Sequence, residues 1–179
     1  MTKYAVFLRG VNVGGHNLLN MKETCKRLEK IGFNDVASYK QSGNIVIETK
    51  DERELAVQKI KMELFKVLNK DIGVFLRTYE EIEAIIEFEP FKKYDLEKDK
   101  VYVVLIPKGS MKDEKFPIRP SNYGVELISR NDSAIFAISC LYKGKFGSPN
   151  VFIESKYKLP ATTRNWNTIN GVAKMMGVK

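Results

Sequence analysis

The stretch Val36-Ala37-Ser38-Tyr39-Lys40-Gln41-Ser42-Gly43-Asn44-Ile45-Val46-Ile47-Glu48 decides the fold. It reads as two short strands, 36–41 and 44–48, turned around Ser42-Gly43. What flanks this hairpin sets its context. On its N-terminal side Asn20 can cap a helix whose apolar residues Met21, Cys25, Leu28 and Ile31 recur at helical spacing, with Gly32 as the stop. Before that helix come a Gly- and Asn-rich loop, 10–20, and a near-continuous apolar run, 3–9, of the kind found in central strands. On the C-terminal side Asp51 can cap a second helix with Val57, Ile60, Leu64, Val67 and Leu68 on one face. Residues 74–77 supply a fourth strand. The order βαββαβ is that of the ferredoxin-like unit.

The second half repeats this order imperfectly. Thr78-Tyr79-Glu80-Glu81 is a capping box that opens a short helix with Ile82, Ile85 and Ile86 inward. Residues 89–100 lack apolar periodicity and mark a boundary. Strands are predicted at 101–106, 125–130 and 134–141, the last two turning at Asn131-Asp132, with no assignment for 108–122. A helix around 151–157 follows, then a polar segment at 162–167 and a last helix with Ile169, Val172, Ala173 and Met176 on one face. The expected architecture is therefore α+β, two ferredoxin-like (βαββαβ-type) subdomains with antiparallel sheets, residues 1–90 and 91–179. Strands such as 101–106 are apolar on both sides, and helices cover only one face of such a sheet. The other faces are expected to pack on each other or on a partner.

Composition narrows the function classes. In 179 residues, 44% are hydrophobic and 29% charged, a globular mixture with no apolar run of about 18 residues to span a bilayer. The N-terminal apolar run is too short for a secretory signal. Cys25 and Cys140 are widely separated, which suits a reducing compartment and core packing rather than zinc or redox chemistry. With a single histidine no metal set is expected, and nothing calls for a cofactor. A cytoplasmic protein is the expectation. The net charge is +8, gathered at the ends: 1–45 and 140–179 each carry seven basic residues, against three and one acidic. Such ends attract phosphate-bearing partners, nucleic acid or a phosphorylated small molecule, and they also serve plain solubility.

Two polar constellations stand out. In a βαββαβ unit the ends of the first two strands and the start of the first helix meet at one end of the sheet. This gathers Arg9, Asn12, Gly14, Gly15, His16, Asn17, Gln41, Ser42 and Asn44. Glycine N–H groups, a helix start and an arginine make an anion site in principle; the same Gly and Asn residues also suit a loop that satisfies its own backbone. His16 is an acid/base candidate, but no carboxylate lies close in sequence to orient it. The second constellation is Thr163, Arg164, Asn165, Trp166 and Asn167, where the donors and the sole tryptophan precede a helix. They can cap that helix, hold a phosphate or carboxylate, or stack a base. The third strand lacks the aromatics with which an RRM sheet binds RNA.

Three motifs together, Leu8-Arg9-Gly10-Val11-Asn12-Val13-Gly14-Gly15, Gln41-Ser42-Gly43-Asn44 and Pro160-Ala161-Thr162-Thr163-Arg164-Asn165-Trp166-Asn167-Thr168, resemble domain-of-unknown-function family 1697, a group of uncharacterised bacterial proteins. The resemblance implies an α+β fold of two ferredoxin-like subdomains and no established reaction. Members often carry a Gly-rich, Ser- and Lys-containing stretch before the last helices, where this chain reads Lys143-Gly144-Lys145-Phe146-Gly147-Ser148-Pro149-Asn150. Three function classes stay open. One is a binding module for nucleic acid or another polyphosphate through Arg9, Arg164 and Trp166. The others are a small enzyme acting on a phosphorylated or carboxylate metabolite, and an interaction scaffold.

Overall fold

The computed structural model describes residues 1–178. In it the N-terminal apolar run becomes strand β1 (Thr2–Leu8), followed by α1 (Met21–Lys30), β2 (Asn34–Ser38), β3 (Asn44–Thr49), α2 (Arg53–Leu68) and β4 (Val74–Thr78). The strands form one antiparallel sheet in the order β2-β3-β1-β4. Because side chains alternate along a strand, Tyr4, Val6 and Leu8 share a face with Ile45, Ile47 and Leu76. That face is buried with Met21, Cys25 and Leu28 of α1 and Ala56, Ile60 and Leu64 of α2. Each such Leu or Ile contributes about 1.5–3 kcal/mol by leaving water. The opposite face presents Ala5, Phe7, Val46 and Phe75, also buried.

Local chemistry sets the ends of these elements. The Asn20 side chain accepts from the Glu23 N–H at 3.1 Å, capping α1 as its sequence predicts. Asp51 does not cap α2: the preceding residue is Glu52, without a side-chain cap, and the Asp51 carboxylate accepts from Lys59 Nζ at 2.6 Å instead. Val67, expected inward, is exposed in the last turn of α2. Strand β2 stops at Ser38, short of its predicted end, because Lys40 adopts a left-handed conformation (φ 57°) that breaks the ladder.

The helix α3 (Tyr79–Glu87) leads to β5 (Lys100–Leu105), β6 (Val125–Arg130), β7 (Ile135–Ser139), a two-stranded hairpin of β8 (Leu141–Tyr142) and β9 (Lys145–Phe146), α4 (Pro149–Tyr157), β10 (Thr162–Asn165) and α5 (Trp166–Met176). A second antiparallel sheet has the order β10-β5-β7-β6. Phe152 and Ile153 of α4 pack with Val104, Val125, Leu127, Ile135 and Ala137 on one of its faces. On the other, Phe136 stacks on Phe88 with ring centres 5.0 Å apart and meets Phe91 edge-on at 5.9 Å. Residues 107–124 form turns, tied by a bridge between Ile118 and Leu127. Cys25 is buried as expected; Cys140 is exposed, because it follows the last residue of β7. The architecture is α+β with antiparallel sheets, in agreement with the sequence reading. It divides into two compact units, residues 1–83 with the segment from Gly171 onward, and residues 84–170. Among the described residues no helix is long and apolar enough to cross a membrane.

Both last strands end in the same way. Arg77 of β4 is buried at 5% exposure and its Nη1 donates to the Leu76 carbonyl at 2.8 Å; Arg164 of β10 is buried at 9% and its Nη1 donates to the Thr163 carbonyl at 2.9 Å. A helix cap follows each arginine. Thr78 and Glu81 exchange bonds as a capping box at the start of α3, with Thr78 N–H donating to Glu81 Oε2 at 2.9 Å and Glu81 N–H to Thr78 Oγ1 at 3.3 Å. Asn165 accepts from the Thr168 N–H at 2.8 Å at the start of α5.

Gly43 sits where β1 and its loop close on the hairpin. Its φ is 72° and its carbonyl accepts from the Leu8 N–H at 2.8 Å; a Cβ there would collide with the Val11 side chain and lie 2.9 Å from Leu8 Cβ. Strain and overpacking then add, so Gly43→Ala is expected to cost roughly 2–4 kcal/mol. Urea unfolding should show a lower midpoint at unchanged slope; a loss under about 1 kcal/mol would mean that the junction yields without cost.

Candidate functional site

The first constellation is assembled as expected, and its polar groups are engaged internally. The Asn12 Nδ2 donates to the carbonyls of Leu19 (2.9 Å) and Gln41 (2.6 Å), while its Oδ1 accepts from the Leu19 N–H at 2.8 Å. Asn12 thus ties the loop to the hairpin with every side-chain atom it has. Asn17 Nδ2 donates to the Gly10 carbonyl at 2.8 Å. Asn44 is fully buried and donates to the Tyr39 carbonyl at 3.1 Å and to Ser42 Oγ at 3.0 Å. Gly14 and Gly15, at φ 57° and 76°, are the central residues of a tight turn in which the His16 N–H donates to the Val13 carbonyl at 3.0 Å. Positive φ at both positions is what a type I′ turn demands, and it explains the glycine pair without a ligand. His16, Arg9 and the Gln41 side chain are exposed at this end of the sheet.

The second constellation separates into buried and open members. Arg164 donates to Thr162 Oγ1 at 2.8 Å as well as to the Thr163 carbonyl. Burial pushes its pKa down to about 10, so the guanidinium stays charged at neutral pH. A cation held inside the fold in this way is bonded to its own strand and leaves 9% of its surface exposed. Thr163 Oγ1 donates to Asn150 Oδ1 at 3.2 Å. Trp166 packs edge-on against Phe91 at 5.3 Å between ring centres and remains half-buried. Asn165 and Asn167 are exposed.

Asn165, Trp166 and Asn167 line a cleft of about 240 Å³ with Leu96, Lys98, Lys100 and Tyr102. Asn165 and Tyr102 are cross-strand neighbours on β10 and β5, so the aromatic ring lies beside the amide by the register of the sheet. The segment before β5 is held as a turn, with the Asp95 N–H donating to Asp99 Oδ2 at 2.9 Å and Lys98 paired with Asp95 at 2.8 Å. The cleft therefore offers one indole face, one phenol, two amides and charges of both signs. That set suits a planar, hydrogen-bonding ring better than a bare anion. Among the described residues no group of three or more His, Cys, Asp and Glu side chains is arranged to hold a metal ion.

The family model described as a protein of unknown function (DUF1697) matches residues 1–136. The chain belongs to this family. The first two of the three motifs lie in the matched part; the third, around Arg164 and Trp166, lies beyond it. A solved structure described as that of the conserved bacterial protein SP0830 from Streptococcus pneumoniae is similar throughout, with 26% identity, 98% of each chain covered and a TM-score of 0.68. No curated protein matches the chain. Family membership carries the fold and brings no specific function with it.

Sequence reading missed the cleft's other wall and the hairpin next to it. The signal for the hairpin was present: Lys143-Gly144 between Leu141-Tyr142 and Lys145-Phe146 is a two-residue turn flanked by apolar residues, and both turn residues have positive φ (48° and 76°). Lys100 closes the boundary segment 89–100 of the sequence reading, and Tyr102 lies inside its apolar strand 101–106.

The two kinds of residue separate on substitution. Arg164→Ala leaves the Thr163 carbonyl and the Thr162 hydroxyl without their buried donor and is expected to cost roughly 2–4 kcal/mol, whereas Asn167→Ala on the surface should stay within about 0.5 kcal/mol. Thermal denaturation of both variants checks this. A stable Arg164→Ala protein would show that the buried guanidinium does not hold β10 in place.

Proposed function

We propose that the protein is a cytoplasmic binding module for a phosphate-bearing ligand, nucleic acid or a nucleotide, and that the cleft at the start of α5 receives the ligand's ring. The observation that carries this is the meeting of Trp166, Asn165 and Asn167 with Tyr102, Lys98 and Lys100 around one cleft, whose lining also includes Glu97 and Asp99, so that the phosphate is met at the lysine side. A ring laid against Trp166 gains stacking, the two amides read its edge, and a lysine at the rim meets the phosphate. The basic balance of residues 140–179 raises the local potential for such a ligand. The Gly10 to Asn17 loop and its hairpin partners, including Arg9, His16 and Gln41, take a secondary contact role, since the Asn12 and Asn17 amides are bonded to the Leu19, Gln41 and Gly10 carbonyls and the glycine pair serves a turn.

The strand orders β2-β3-β1-β4 and β10-β5-β7-β6 support a further reading, that each half is a ferredoxin-like unit, with turns replacing the first helix in the second. On that reading the two buried arginines and their caps are counterparts, and only the second cap opens onto the cleft with a tryptophan.

The sole tryptophan makes the test direct. Titration with nucleoside monophosphates is expected to change Trp166 fluorescence saturably, and ligand at about 100 times its Kd should add about 2.7 kcal/mol of stability, which at this size raises Tm by several degrees. A ligand that raises Tm without altering Trp166 emission would place the site elsewhere.

A further inference from the structure

The hairpin of β8 and β9 exposes apolar and cationic side chains together. Leu141 is 65% exposed and Phe146 54%, and the lysines between them, Lys143 and Lys145, are exposed too. Cations already sit on the rings: Lys143 Nζ lies 5.4 Å from the centre of Tyr142, and Lys100 Nζ 4.5 Å from the centre of Phe146. The hairpin is tied at its base, where the Cys140 N–H donates to the Gly124 carbonyl at 2.8 Å, the Gly147 N–H to the Cys140 carbonyl at 3.3 Å, and Ser139 Oγ to the Gly147 carbonyl. Lys100 joins two features, because the same side chain lines the Trp166 cleft and covers Phe146. The cleft and the hairpin are therefore continuous surfaces of one unit.

Building on the cleft as a ligand site, we propose that this surface is a track for single-stranded nucleic acid. One base is stacked at Trp166, and the strand runs past Lys100 onto the hairpin, where Phe146 and Tyr142 offer ring faces and Lys143 and Lys145 meet phosphates. The hairpin, whose only charges are Lys143 and Lys145, favours a polyanion, the cleft with charges of both signs takes the base, and interleaved aromatic faces select unpaired bases over the closed stack of a duplex. A lone nucleotide fills the cleft and leaves the hairpin uncovered, so chain length is the property that this surface reads.

The test uses the whole protein, Trp166 fluorescence, and four probes: a nucleoside monophosphate, single-stranded octamers of deoxythymidine and of uridine, and an eight-base-pair duplex. The octamers are expected to bind at least about tenfold tighter than the monophosphate. With about three phosphates neutralised, raising salt from 50 to 200 mM should weaken the octamers about 20-fold. The double variant Lys143→Asn, Lys145→Gln, in which Asn suits the positive φ of the turn, should lose the octamer's advantage and keep the monophosphate's affinity. Octamers no tighter than a binding monophosphate would overturn the track and leave the cleft standing. A duplex that binds as well as the single strands would overturn the single-strand assignment. No response to any probe would overturn both the track and the cleft.

Discussion

The junction between β10 and α5 sets what the second unit can do. A buried guanidinium on the last residue but one of the strand is bonded to the Thr163 carbonyl and the Thr162 hydroxyl of its own strand, at the end of β10 that pairs with β5. The next residue, Asn165, turns the chain by taking the Thr168 N–H. Trp166 is then the first residue of a helix whose start is determined on both sides, with Phe91 against its edge. Keeping a charge inside the fold is costly unless its donors are used, and here at least two of them are, within the strand's own segment. The reward is geometric: a large aromatic side chain is held at a surface cleft without a free loop to carry it.

The first unit uses the same device with a different ending. Arg77 is bonded back to Leu76 and Thr78 opens α3, yet the cap is closed by Glu81, which also accepts from Arg53 at 2.8 Å. That carboxylate therefore completes a capping box and an ion pair at once. The same economy governs the Gly10 to Asn17 loop. Asn12 bonds the Leu19 and Gln41 carbonyls, Asn17 bonds that of Gly10, and the glycine pair makes a turn. Polar residues concentrated at one end of a sheet are thus explained there by backbone satisfaction, whereas at Trp166 the Asn165 oxygen caps α5 and the exposed Asn167 lines the cleft beside it.

Much of this was legible in the sequence, for reasons that differ by element. The helix α1, the capping box of α3 and the apolar face of α5 follow from local spacing and from caps that act within one turn, so they are where the pattern puts them. The α+β class follows from the order of strands and helices. What sequence could not reveal depends on contacts between distant residues. Asp51 looked like a cap because its alternative partner, Lys59, is invisible until the helix is built. The burial of Arg164 follows from its register against Val103, not from its neighbours in the chain. Lys100 and Phe146 come together only once β5 and the hairpin are both in place. Hence sequence groups Arg164 and Trp166 as one constellation, whereas Arg164 is buried and Trp166 lines the cleft.

Backbone hydrogen exchange of the full chain, with and without a saturating single-stranded octamer, tests the central claim most directly. The account predicts added protection at residues 96–102, 141–147 and 165–168, and little change at 9–17 and 41–44. Protection confined to 9–17 and 41–44 would contradict it, and would return the ligand to the glycine loop.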